Sequence, residues 1–331
     1  MLLTPVCKRI AERTGFLAQP SARGVHREPT PLLGGVAIFA AFAAALGAGA
    51  FFPGVDAQTS TVGFLGGGFM IFVMGVIDDK HNLSWFSKLL GQIVAAVLLM
   101  ASGSTGVELL MWPLGVVLAL VWVVGLTNAM NFLDNMDGIC AGIAAVVSLT
   151  FVGLGLLSGD AGMVAVAAAL CGACVGFLRF NFHPARIFLG DGGSLFLGYA
   201  LGALGLKSIS RAELSPSMLI PVVALAYPIF DITFVSVTRV ARGQSLTQGG
   251  KDHTSHRLAR IKNDTRLTAV AIYGICAGLG VVALLLERLS FAPATVVGFL
   301  AVGFSLFAFA LRLARLAPVP APGAPPRPAP G

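Results

Sequence analysis

The sequence predicts an all-α, polytopic integral membrane protein of about ten transmembrane helices. Composition is the first reason: the 331 residues are 56% hydrophobic and 11% charged, with a mean hydropathy of +0.86. A soluble domain carries roughly a quarter charged residues. The second is recurrence, since apolar runs near the ~20 residues that cross a bilayer as a helix follow one another along the chain. The third is charge placement. Nineteen of the 22 Lys and Arg residues fall in alternate connections between those runs.

In chain order the spans are expected near 32–52, 61–77, 88–104, 112–130, 138–157, 161–179, 187–206, 217–238, 267–286 and 290–313. Glycine-rich runs such as Val62 to Ile77 suit close helix packing rather than lipid contact all round. Residues 1–31, 78–88, 131–137, 180–186, 239–266 and 314–331 share one side and hold most of the basic residues. Lys207, Arg211 and Arg288 stand on the other side. The positive-inside rule assigns the basic side, with both termini, to the cytoplasm. Residues 1–316 form one multi-span domain. The Pro/Ala-rich tail, 317–331, cannot bury a core and is expected to be disordered. Met1 to Ile10 has too short an apolar core for a cleavable signal peptide. Cys7, Cys140, Cys171, Cys174 and Cys276 lie in or beside apolar runs and read as buried thiols, with no disulfide framework.

Acidic residues sort with the basic ones. Asp78, Asp79, Asp134, Asp137 and Asp252 lie on the cytoplasmic side, with Asp191 and Asp231 near the cytoplasmic ends of their helices. A transporter would carry ionisable groups near the midplane, on a route open to both faces. Polar chemistry on one face points instead to an enzyme drawing a soluble substrate from the cytosol.

Four stretches carry that chemistry. Asn128, Asn131, Asp134 and Asp137 follow one another at intervals of three, near one face of a helix end. They read either as a cation or polar-ligand site or as an Asn/Asp-rich cap. Adjacent Asp78 and Asp79 raise each other's pKa unless a cation neutralises them; a divalent metal, a basic partner or a solvated helix end would each account for them. Lys88 and Gln92 stand one turn apart nearby. In Asn181-Phe-His-Pro-Ala-Arg-Ile-Phe-Leu-Gly-Asp-Gly-Gly-Ser the glycines free the backbone around Asp191 for a phosphate at a helix N-terminus. Asp191 in an apolar surround calls for a counter-cation, and magnesium suits it. The basic loop 239–266 contains His253, His256 and Arg257, which fit a pyrophosphate better than a zinc site, or hold the loop to anionic lipid. Gly24 to Gly35 makes a Pro-fixed lead-in to the first span.

Taken in order over nearly the whole chain, these stretches resemble the polyprenyl-phosphate N-acetylhexosamine-1-phosphate transferases of glycosyltransferase family 4. The signatures are the His26 to Gly35 lead-in and Asp78-Asp79 with Lys88 and Gln92. Asn128-x-x-Asn131-x-x-Asp134-x-x-Asp137-Gly138 follows, then Asn181-Phe182-x-Pro184-Ala185 running into Gly190-Asp191-x-Gly193-Ser194. Pro228-x-x-Asp231 and His253/His256-Arg257-Leu258 complete the set. The resemblance implies transfer of a sugar 1-phosphate from a UDP-N-acetylhexosamine to polyprenyl (undecaprenyl) phosphate, with release of UMP. That is the first membrane step of a cell-envelope glycan, at the cytoplasmic face of a bacterial plasma membrane. It implies Mg²⁺, with Mn²⁺ able to replace it, held by Asp191 and Asp134. Asp78, Asp79 and Asp191 would be catalytic. Lys88, Asn128, Asn131, Asp134, Asp137, His253, His256 and Arg257 would bind substrate. No nucleic-acid partner is expected, and a homodimer is one of the arrangements left open.

Four departures accompany the resemblance. The family's basic loop usually reads His-x-His-His, and Ser255 occupies the middle His position. The consecutive histidines of the MurNAc-pentapeptide branch are absent, which favours a GlcNAc-type donor. Members of the GlcNAc branch have eleven spans with an outside N-terminus, and Met1 to Cys7 reads as the end of the first. Gln19 also replaces an aspartate common before the lead-in. A CDP-alcohol phosphotransferase would need an Arg soon after Asp137-Gly138, where Ile-Cys-Ala-Gly follows. A transporter or lipid flippase, and a scaffold without activity, are the remaining alternatives.

Overall fold

The structure is a computed structural model that describes residues 1–19, 28–49, 59–103, 113–209, 215–245, 250–289 and 291–318. Helices occupy all ten expected positions. They are α2 (Gly34–Gly49), α3 (Thr59–His81), α4 (Trp85–Ala101), α5 (Leu114–Leu133), α6 (Ile139–Ser158), α7 (Ala161–Asn181), α8 (Gly190–Ile209), the pair α9 (Ile220–Ala224) and α10 (Ala226–Val240), α12 (Thr265–Leu289) and α13 (Ala292–Leu316). Five of them, α5, α6, α7, α12 and α13, are by length and hydropathy sufficient alone to cross a membrane. The protein is an all-α, multi-pass membrane protein.

Helix α8 is the axis of the bundle. Every residue from Gly192 to Leu206 is buried, with α2, α3, α5, α6 and α7 packed around it. An apolar helix enclosed by others needs small residues where backbones approach. At Gly75 of α3, an added Cβ would stand 2.5 Å from the Asp191 carbonyl oxygen and the Gly192 Cα. By contrast α13 buries only Thr295 and Leu313 and turns Phe304, Phe307 and Val297 outward, as a lipid-facing helix does.

Three features depart from the sequence expectations. The span expected over 217–238 is not continuous: segments 216–224 and 226–240 meet at 75°. Pro228 explains the break, since its ring would clash with the carbonyl four residues back, at Ala224, where α9 ends. Leu3 to Cys7 open α1 (Leu3–Thr14), whose second half carries Lys8, Arg9, Glu12 and Arg13. The loop 239–266 contains a further helix, α11 (Thr254–Lys262). Two short strands, β1 (Leu17–Ala18) and β2 (Thr30–Pro31), pair antiparallel with Leu17 opposite Pro31. The expected disordered tail from residue 319, and His26 of the lead-in, lie outside the described residues.

The α3–α8 approach sets a test. Gly75→Ala is expected to lower the melting temperature of the detergent-solubilised protein by several degrees and to cut activity sharply. Gly66→Ala, in the same helix with open space around it, is expected to be neutral within about 1 kcal/mol, the helix propensity gain being of that order. Equal behaviour of the two variants would contradict the packing assigned to Gly75.

Candidate active site

The Asp79 carboxylate closes the site from one side. Its Oδ1 accepts the Asp191 N–H at 2.8 Å and its Oδ2 the Gly192 N–H at 3.2 Å. These are orphan donors of the first turn of α8, so Asp79 caps α8 from the end of α3. Gly190 makes the close approach feasible: its φ is +75°, and a Cβ there would meet Asp79 Oδ2 at 2.6 Å and the Leu32 carbonyl at 2.9 Å. The lead-in segment holds the other flank. The Phe188 N–H donates to the Pro31 carbonyl at 2.8 Å, the Gly34 N–H to the Phe188 carbonyl at 2.9 Å, and the Gly35 N–H to the Leu189 carbonyl at 2.8 Å.

Asp78, one residue earlier, is buried. Its Oδ1 accepts the Leu83 N–H at 2.7 Å, and its Oδ2 lies 2.8 Å from Lys88 Nζ. That ammonium stands 3.8 Å from Asp191 Oδ2, so Lys88 bridges two of the acids. Asn131 Nδ2 donates to Asp191 Oδ1 at 2.8 Å and to Ser194 Oγ at 2.9 Å. Asn128 and Gln92 exchange amide hydrogen bonds at 2.7 and 3.3 Å, joining α5 to α4 beneath the cavity-lining acids.

A cavity of about 330 Å³ lies above these contacts, lined among others by Asp79, Asp134, Asp137, Asp191, His183 and His256. Burial, then the carboxylates of Asp191, Asp79 and Asp137, push the Asp134 carboxyl well above the usual range. Asp137 is held differently: its Oδ2 lies 2.7 Å from His183 Nδ1 and accepts the Ala185 N–H at 3.0 Å. Asn181 Oδ1 accepts the Gly138 N–H at 3.1 Å while its Nδ2 donates to the Ile187 carbonyl at 2.9 Å. The Asn/Asp turn and the 181–191 loop are thereby stitched together.

The basic loop supplies the far wall, through α11. His256 lines the cavity. His253 is buried with Nδ1 2.9 Å from Asp231 Oδ2. Arg257 is turned away: its Nε donates to the Asp252 carbonyl at 3.0 Å, its Nη1 to the Ala317 carbonyl at 3.2 Å, and its guanidinium lies 4.8 Å over the Phe234 ring. Ser255, at the position where a His was expected, donates its hydroxyl to Asn135 Oδ1 at 2.7 Å.

Comparison with known proteins now bears on this geometry. Residues 61–209 match the model for glycosyl transferase family 4. The chain is 35% identical over 286 residues to a Bacillus subtilis protein named as a probable undecaprenyl-phosphate N-acetylglucosaminyl 1-phosphate transferase, covering 82% of this chain and 78% of that one. It is 33% identical over 301 residues to a decaprenyl-phosphate N-acetylglucosaminephosphotransferase of Mycobacterium tuberculosis, covering 80% and 74%. A phospho-N-acetylmuramoyl-pentapeptide-transferase of Heliobacterium modesticaldum is 37% identical over 175 residues, covering 46% and 52%. The chain belongs to glycosyl transferase family 4, the polyprenyl-phosphate N-acetylhexosamine-1-phosphate transferases.

In this family 4 protein, Asp79, Asp134, Asp137, Asp191 and His256 come together on one cavity, with Asp78, Lys88 and Asn131 directly behind Asp191. Asn128, His253 and Arg257 are not among the lining residues. Asn128 braces α5 against α4, and Arg257 fixes α11 to the end of α13. Three lining residues, Asn135, Asn181 and His183, were not singled out as site residues from sequence. Each stood inside a quoted motif, and the available signal was a polar side chain between residues already chosen.

His256 provides a pH test. Burial, then His253, Lys251 and Arg260, lower its imidazole from 6.5 to about 4. Between those values the unfolded chain binds the extra proton, so this contribution to stability is present above 6.5 and is lost as pH falls toward 4. His256→Gln is expected to reduce the fall in melting temperature on acidification from pH 7 to about 4.5. An acid limb identical to that of the parent protein would contradict the assignment.

Proposed function

We propose that the protein transfers GlcNAc 1-phosphate from UDP-GlcNAc to a polyprenyl phosphate in a bacterial plasma membrane, at its cytoplasmic face. The observation that carries the reading is the convergence of Asp79, Asp134, Asp137 and Asp191, drawn from three separate parts of the chain, on one cavity. The relatives' names supply the lipid phosphate and the N-acetylglucosamine phosphate. The orientation rests on the distribution of Lys and Arg. On this reading the enzyme catalyses the first membrane step of an envelope glycan.

The reaction needs no proton at its centre. An oxygen of the lipid phosphate, already anionic, forms a bond to the β-phosphorus of the donor. The bond from that phosphorus to the bridging oxygen breaks, and UMP leaves with the electron pair. Charge neutralisation and alignment are most of what such a transfer demands. Lys88, beside Asp78 and Asp191, offers the lipid phosphate a cation at the α3–α4 rim. Asp78 and Asp79 act as orienting groups: the first fixes Lys88, the second fixes the N-terminus of α8. His256, neutral in the free protein, offers a hydrogen bond to the diphosphate.

The donor set suits magnesium. Among the described residues no three His, Cys, Asp or Glu side chains form a closed metal site, and Mg²⁺ is commonly held by one or two carboxylates with substrate phosphates and water. Asp191 and Asp134 would hold it, with Asp134 carrying charge that its acidic neighbours disfavour. Bound there, the ion would neutralise diphosphate charge and stabilise the leaving UMP. Mn²⁺ would serve in its place.

Radiolabelled UDP-GlcNAc, polyprenyl phosphate and purified protein test this reading. Labelled lipid and UMP are expected in equal amounts, dependent on added Mg²⁺. Asp191→Asn is expected to lower turnover about 10²–10³-fold, the usual cost of removing a group that stabilises developing charge. Undiminished turnover in that variant would remove Asp191 from the mechanism. No UMP release from any UDP-N-acetylhexosamine would overturn the proposed activity.

A further inference from the structure

Five consecutive residues at the start of α11 are committed to four different places. His253 Nδ1 lies 2.9 Å from Asp231 Oδ2. Thr254 donates its N–H at 2.8 Å and its hydroxyl at 2.5 Å to Asp231 Oδ1, and its Oγ1 lies 2.8 Å from the Tyr227 hydroxyl. Ser255 donates to Asn135, whose side chain lines the cavity. His256 lines the cavity itself. Arg257 is tied to Asp252 and Ala317.

Asp231 is the common anchor of the first two. It sits on α10 with its side chain fully buried, 0% exposed. A buried carboxylate must be met by donors, and Asp231 has the Thr254 N–H, the Thr254 hydroxyl and His253 Nδ1. Two consequences follow. The proton on the His253 ring is directed to Nδ1, leaving Nε2 as the nitrogen free for other contacts. The start of α11 is also capped from outside, because the His253 side chain makes no capping bond of its own and the Thr254 N–H goes to Asp231. His253 and His256 rings are 6.3 Å apart, centroid to centroid, so what fixes the first bears on the second.

We propose that Asp231 is a positioning residue for the transfer reaction: its buried carboxylate sets the tautomer of His253 and holds the first turn of α11 so that His256 faces the diphosphate cavity. The inference rests on the activity proposed above. It assigns the Pro228-x-x-Asp231 motif a task at the site although Asp231 is absent from the cavity lining. A merely structural staple would hold the loop without any dependence on the proton of His253.

Asp231→Asn separates the two. The carboxamide keeps the shape and its oxygen can still accept from Thr254, but its NH₂ confronts His253 Nδ1 with a donor and drives the ring proton to Nε2. Nitrogen-15 spectra of histidine-labelled full-length protein in nanodiscs are expected to show the Nδ1–H form of His253 in the parent and the Nε2–H form in the variant. Turnover of UDP-GlcNAc is expected to fall about 10–100-fold, the usual worth of a carboxylate that orients a ligating histidine, with the melting temperature little changed. In a His253→Gln background the same substitution is expected to add less than about threefold, because the two act as one unit. An unchanged tautomer, unchanged turnover, or a loss that follows the melting temperature through Asp231→Asn, Asp231→Ala and Asp231→Glu would each overturn the proposal. A parent protein that releases no UMP would defeat the proposed activity alone, since the spectra still decide the role of Asp231 toward His253.

Discussion

The site depends on one carboxylate laid across the start of a buried helix. Asp79 accepts from the Asp191 and Gly192 amides, and those amides lie 112 and 113 residues further along the chain. Without that contact the first turn of α8 would present orphan donors inside a bundle with little water to satisfy them. With it, α3 and α8 are locked in one register and the Asp191 side chain is presented to the cavity. Lys88 and Asn131 hold the two Asp191 oxygens from α4 and α5. Asp191 is therefore placed by three helices that the chain order does not bring together.

The charge distribution of the cavity follows from the same arrangement. Four aspartates line it, while Arg257 is tied to the end of α13 and Arg239 to Asp252 at 2.7 and 2.8 Å. On the proposed reading a divalent ion would reconcile this acidic lining with a diphosphate substrate. The acids would then hold the ion, and the ion would hold the substrate phosphates. Ionisable groups at one rim, with none of the site residues drawn from the opposite helix ends, suit transfer at a surface better than passage through the bundle.

Much of the fold was legible in the sequence because the bilayer restricts the options: apolar runs of about 20 residues can only be helices. Even the break in the eighth span has a local cause, Pro228 acting on Ala224, and was missed because the run was read for hydropathy alone. The acids were legible as residues but not as roles. Asp79 reads as one of an acidic pair beside a metal, a basic partner or solvent, and only long-range geometry reveals a helix cap. Arg257 reads as a phosphate ligand from its basic surroundings, whereas its guanidinium is buried over Phe234. Ser255, conspicuous as a missing histidine, turns out to brace Asn135. Contacts between residues more than 100 positions apart leave no mark in spacing or periodicity, which is where sequence reasoning ended.

The central claim is that carboxylates remote in sequence share one divalent ion. Mn²⁺ binding followed by electron paramagnetic resonance, in nanodisc-embedded protein with UMP present, tests it most directly. The account predicts a single site whose affinity drops at least about tenfold in both Asp191→Ala and Asp134→Ala, each of which removes one of the two carboxylate ligands. Full-affinity binding retained in either variant would contradict it.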